Sequence, residues 1–102
     1  MRMRISDIKP GAEHITLVAK VIEMGQVRQV ETRFGPARVA TAIIEDETGR
    51  INLKLWRDQI DQAEVGHVIR LENAFAAEFR GVKEISIGRT GRITALSTVG
   101  EH

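Results

Sequence analysis

The sequence has no cysteine, which excludes disulfide staples and thiolate chemistry and fits a reducing cytosol. A zinc site would have to rely on His14, His67 and His102 with carboxylates, and their spacing matches no ligand motif. No stretch approaches the roughly 20 apolar residues of a membrane-spanning helix. The basic start, Met1-Arg2-Met3-Arg4, is not followed by an apolar run, so neither a span nor an export signal is expected and the chain reads as soluble and cytoplasmic. An excess of one charge is also missing: 15 basic residues face 14 acidic ones, and a net charge of +1 does not by itself point to a polyanionic partner. Eleven of the fifteen are arginine, which forks onto phosphate and stacks on planar rings better than lysine does. Tyrosine is absent and aromatics are reduced to Phe34, Trp56, Phe75 and Phe79, so the core has to be built from Ile, Val, Leu and Ala. The positions of those four rings therefore carry most of the information.

The most informative stretch is Asp46-Glu47-Thr48-Gly49-Arg50-Ile51-Asn52-Leu53-Lys54-Leu55-Trp56, a turn that runs straight into a strand. Ile51, Leu53 and Leu55 alternate with Asn52, Lys54 and Trp56, and a period of two places the two sets on opposite faces of a sheet. The only tryptophan is therefore on the polar face, beside a lysine. Asp46 and Glu47 read as turn residues, with Glu47 available to offset Arg50, rather than as a catalytic or metal-binding pair.

Residues 102 in number form one domain, with the fold expected over 1–96 and a frayed tail over 97–102. Ile5 to Ile8 form a short helical turn, started by Ser6 or Asp7, that plugs one end of the core. His14 to Met24 alternates as a strand with Ile15, Leu17, Ala19 and Val21 inward, and the slip at Val21-Ile22 predicts a bulge or bend. Gly25 to Pro36 is a polar connection whose middle continues the strands as a ribbon, with Phe34-Gly35-Pro36 at its tip. A second strand covers Ala37 to Glu45, and the Trp56 strand is the third. Arg57 to Ala63 has the spacing of one or two helical turns, with Trp56 or Ile60 leaning inward. A fourth strand begins at Val68, with Ile69 and Leu71 inward. Unbroken parity would bury Phe75, whereas a bulge at Asn73-Ala74 turns it to the face of Arg70 and Glu72. Phe79-Arg80-Gly81 makes a hairpin tip, Val82 to Gly88 return as a fifth strand, and Ile93 to Leu96 close the domain.

Five strands with a brief helix between the third and fourth is the layout of an all-β OB-fold Greek-key barrel, whose open face and long loops bind oligonucleotides or oligosaccharides. An SH3-like barrel is the competing fold. No catalytic order of Ser, His and Asp is present and Gly88-Arg89-Thr90-Gly91 is too short for a phosphate loop, so neither an enzyme nor a cofactor is expected.

Val21-Ile22-Glu23 with Arg28-Gln29-Val30, the run Ala42 to Ile51, Leu55-Trp56, Gly66 to Ala74 and Phe79-Arg80-Gly81 together resemble the single-OB, single-stranded DNA-binding proteins of archaea, relatives of the human SOSS-complex SSB proteins and of replication protein A. The resemblance spans residues 5 to 96. It implies that Trp56, Phe75 and Phe79 stack with bases, in a protein of replication, repair and recombination that works on the nucleoid with other repair or replication proteins as partners. Phe75 stands where relatives often carry tryptophan or tyrosine.

Binding a single strand without sequence preference takes rings for bases and a basic groove for phosphates. Lys54 and Asn52 share the face of Trp56, Arg28 and Arg33 lie in the connection on one side, Arg80 and Lys83 lie at the last hairpin on the other, and Arg57 follows Trp56. Trp56 as a cap on the barrel end, Phe75 as a core residue and Phe34 as a loop pin are the structural alternatives. RNA in place of DNA and a peptide-binding OB domain are the functional ones. A free edge strand would allow a weak homo-oligomer in place of a monomer.

Overall fold

The computed structural model describes residues 3–98. Its strands are β1 (Ile15–Met24), β2 (Arg28–Thr32), β3 (Gly35–Asp46), β4 (Gly49–Trp56), β5 (His67–Phe79) and β6 (Val82–Thr98). In β1 the four alternating aliphatics Ile15, Leu17, Ala19 and Val21 are all buried. The strand bulges where the alternation slips: Val21 pairs with Ile44 and Glu23 with Ile43, leaving Ile22 as the extra residue. The bend lets one strand serve two partners, β5 along Ile15–Lys20 and β3 along Lys20–Met24.

The ring closes in the order β1-β5-β6-β4-β3 and back to β1, while β2 pairs only with β3 and extends it as a ribbon. The six strands pair antiparallel except β4 with β6, where Asn52, Leu53 and Lys54 run parallel to Glu84, Ile85 and Ser86; outside them Met3 makes a single parallel bridge to Leu17. This is the five-stranded OB barrel. Its core is aliphatic: Ile15, Leu17, Ile44, Leu53, Leu55, Ile69, Leu71 and Ile85 are each less than 2% exposed. Each such side chain contributes on the order of 1.5–3 kcal/mol on burial. No aromatic ring is among the buried residues described.

Several local expectations are corrected. The helical turn Ile5–Asp7 begins after Arg4 and has no side-chain cap of its own, so neither Ser6 nor Asp7 starts it. Its free amides are taken from across the chain: Ile5 N–H donates to Asp46 Oδ2 (2.9 Å) and Ser6 N–H to Thr48 Oγ1 (3.0 Å). Ile5 and Ile8 are buried and plug the core as expected. The segment between β4 and β5, Arg57–Gln62, is a 3-10 helix; six residues give too few turns for a stable α-helix, and the side chain of Gln59 takes the Trp56 N–H at 2.9 Å. Ile60, not Trp56, leans inward there. Arg50 pairs with Glu45 (2.9 Å) rather than Glu47, because the two lie directly opposite in the β3–β4 ladder.

β6 is one continuous strand instead of two short ones. It passes the β5 bulge at Gly91, where a Cβ would collide with Ile87 and come within 3.1 Å of the carbonyl oxygens of Glu72 and Asn73. The strand also runs to Thr98, opposite His67, so Ser97 and Thr98 belong to the barrel and the rest of the expected tail, 99–102, lies outside the described residues. No helix among the described residues is long and apolar enough to cross a membrane.

Candidate nucleic-acid interface

Residues paired across a ladder share a sheet face, so the register builds the surface directly. In β4, Ile51, Leu53 and Leu55 are buried and Asn52, Lys54 and Trp56 point out, half-buried. Across the sheet Lys54 lies between Thr41 and Ser86, and Ser86 pairs with Phe75. Asn52 lies between Ile43 and Glu84, and Glu84 pairs with Ala77. Trp56 is opposite Val39, which in turn pairs with Arg28. Three parallel rows therefore join β2, β3, β4, β6 and β5 on one face.

Phe75 belongs to that face because of the bulge at Asn73. Ile69 and Leu71 are buried, the ladder shifts between Glu72 and Ala74, and burial resumes at Ala74 and Ala76. The extra residue inverts parity and leaves Phe75 outward at 40% exposure. Asn73 sits at φ 54, a left-handed conformation that asparagine tolerates better than most residues. Its side chain is held from both sides: His14 Nδ1–H donates to its Oδ1 (2.8 Å), and its Nδ2 donates to Thr90 Oγ1 (2.5 Å). Gly88 packs beside the Phe75 ring, where a Cβ would lie in ordinary contact at 3.5 Å.

Phe79 is 66% exposed at the tip of the β5–β6 hairpin, four residues beyond Phe75 and so roughly 13 Å along the strand. The tip is a two-residue turn with positive φ at both Arg80 (54°) and Gly81 (81°). Arg80 folds back with its guanidinium carbon 5.2 Å from the centre of the Phe79 ring. Lys54 Nζ lies 5.4 Å from the centre of the Trp56 ring. Both rings thus carry a cation against them before any ligand arrives.

Arg33 and Arg57 lie at the other end of the face, where both border a cleft of about 450 Å³ with Thr32, Phe34 and Trp56. Lys83 stands apart. It has the parity of Ile85 and Ile87 rather than of Ser86, and its ammonium donates to the Ile8 carbonyl at 3.0 Å. It borders a shallow groove with Asn52 and Val82, but its charge is committed to the N-terminal segment. Phe34 is the residue that sequence reasoning left undecided. Its turn is pinned by Thr32, whose hydroxyl donates to the Gly35 carbonyl (2.7 Å) and accepts the Phe34 N–H (3.1 Å), while the ring itself is 75% exposed.

The acidic turn at the head of β4 lies away from this face and is structural. Asp46 Oδ1 accepts the Thr48 N–H (2.7 Å), the Thr48 hydroxyl (2.6 Å) and the Gly49 N–H (3.2 Å), while Oδ2 caps Ile5. Burial alone would raise the Asp46 carboxyl, but the hydroxyl and the three amides outweigh it and hold the group below the usual carboxylate range.

Comparison with known proteins agrees with this architecture. Residues 8–95 match the family described as single-stranded DNA binding protein Ssb-like, OB fold. The chain belongs to that family of OB-fold proteins. It is 31% identical over 100 residues to the single-stranded DNA binding protein Ssb of Saccharolobus solfataricus, covering 98% of this chain and 68% of that one. It is 30% identical over 95 residues to replication factor A of Methanothermobacter thermautotrophicus, covering 89% of this chain but only 12% of that longer protein. Among solved structures, the replication factor A related protein of Methanobacterium thermoautotrophicum superposes with a TM-score of 0.79 at 27% identity, over 94% of this chain and 91% of that one. An OB domain from Thermoplasma acidophilum gives 0.81 at 24% identity, over 94% and 87% of the two chains.

Proposed function

We propose that the protein binds single-stranded DNA without catalysis, by stacking bases on Trp56, Phe75 and Phe79 and by holding phosphates with the surrounding basic side chains. The observation that carries this reading is the ladder register, which brings the three rings, Lys54 and Asn52 onto one open face of the barrel. Family membership and the names of the Ssb and replication factor A relatives support it. Stacking contributes about 1–3 kcal/mol per base, so three platforms supply about 3–9 kcal/mol, which reaches micromolar binding at the upper end and leaves the remainder to phosphate contacts. Arg28, Arg33, Arg57 and Arg80 flank the rings and Lys54 lies between them; Lys83, tied to Ile8, is left out of the footprint. Protection and presentation of strands during replication, repair or recombination is the corresponding role, with proteins of those processes as partners.

The test is titration of fluorescein-labelled oligo-dT, with Trp56 fluorescence as a second signal. Binding should quench the indole and weaken by roughly 10- to 100-fold between 50 and 200 mM salt as several cations release counterions. No quenching and no salt-sensitive binding at micromolar protein would remove the reading. Competition between DNA and RNA of one sequence decides the preferred sugar.

A further inference from the structure

The cleft between the β2–β3 ribbon and the end of β4 shares Trp56 with the flat face but is bordered by neither Phe75 nor Phe79. Trp56 is opposite Val39, and Phe34 lies five residues before Val39, so a flat ribbon would carry it roughly 16 Å from the Trp56 row. Instead Phe34 and Trp56 border one cleft of about 450 Å³, so the ribbon curls back toward β4. The cleft is open to solvent, as a site for one unit of a longer strand would be. The lining residues are Thr32, Arg33, Phe34, Trp56 and Arg57, whose contributed surface is mainly apolar and which include no carboxylate. Apolar walls with cations at the rim complement a planar base attached to phosphates, and oppose an acidic peptide less specifically. The tip is also pre-shaped: the Thr32 hydroxyl closes the turn with two hydrogen bonds and Gly35 takes φ 102, so the exposed Phe34 ring is presented without ordering a loop on binding.

We infer that Phe34 is a fourth stacking platform and that this cleft takes one nucleotide of the bound strand, its base against Phe34 beside Trp56 and its phosphates on Arg33 and Arg57. The inference rests on the single-strand reading above and extends the footprint off the flat sheet into the ribbon. Arg57, at φ 54 directly after Trp56, is the rim cation on the barrel side, and Arg33 the one on the ribbon side.

The full chain is titrated with 15-nucleotide oligo-dT as wild type, as Phe34→Ala, and as the Trp56→Phe/Phe34→Trp double variant, with circular dichroism confirming the fold of each. Phe34→Ala should weaken binding about 5- to 100-fold, the worth of one stacked base, with the salt dependence retained. The double variant, whose only indole is then at the ribbon tip, should lose fluorescence when saturated with strand. Equal affinity for wild type and a folded Phe34→Ala protein, or an unquenched indole in the saturated double variant, would overturn the fourth platform while leaving the three-ring face in place. Failure of the wild type to bind at all would overturn the underlying reading and this one with it.

Discussion

Single side chains divide into those that stack and those that hold the scaffold, and Asp46 is the clearest of the second kind. One carboxylate satisfies the turn before β4 and the first amide of a helical segment 41 residues away in sequence. The turn was legible from Asp46, Thr48 and Gly49, but the cap on Ile5 was not, because no local pattern announces a bond between distant segments. Asp46→Ala, which removes the acceptor of all four bonds, should cost about 0.5–2 kcal/mol, as loss of a capping side chain does, read by urea denaturation at pH 7. The pH dependence has a definite sign. The folded pKa is depressed, so the contribution is complete above the unfolded carboxylate value of about 3.9 and is lost as pH falls through the folded one. The variant should therefore lose less stability than wild type on acidification below about pH 4. Trp56 represents the first kind: Trp56→Ala should leave the fold intact, since the ring lies outside the core, yet weaken oligo-dT binding about 5- to 100-fold.

Among the elements, the β5 bulge decides the most. A poor strand interior at Asn73-Ala74 was enough to suggest it from sequence, and with it the exposure of Phe75. What holds it was hidden, since His14 and Thr90 belong to different strand surroundings and meet Asn73 only in the folded barrel. Asn73→Val places a β-branched residue at φ 54 and removes both bonds, so it should destabilise by about 1–3 kcal/mol, with Asn73→Gly closer to wild type. Gly91→Ala should cost about 1–3 kcal/mol for a related reason, because its methyl would press on Ile87 and on the bulge carbonyls. Thermal melts of the three variants check both expectations. Lys83 shows the converse. From sequence Lys83 groups with Arg80 as a cation for the bound strand, although Lys83 shares the parity of Ile85 and Ile87; its bond to the distant Ile8 carbonyl was not legible.

At the scale of the whole molecule, a neutral sum of charges conceals an ordered distribution. The barrel order followed from alternation, turn chemistry and the short helical interval, because those signals are local. The ribbon's curl is not local, which is why Phe34 could be placed at a tip but not at the cleft it borders with Trp56. Closing β1 onto both β3 and β5 leaves one continuous surface running from the Phe79 hairpin, past Phe75 and Lys54, to Trp56 and the ribbon. Cations flank that path at both ends, while the Asp46-Glu47 turn lies beside Met3 and Val18, away from it. The central claim is that a single strand follows this surface, and amide and indole chemical-shift mapping on labelled protein titrated with oligo-dT tests it most directly. The largest changes should fall on the Trp56 indole and on the amides of Asn52, Lys54, Phe75 and Phe79; changes concentrated instead around Met3, Val18 and Glu47, with the Trp56 indole unmoved, would contradict it.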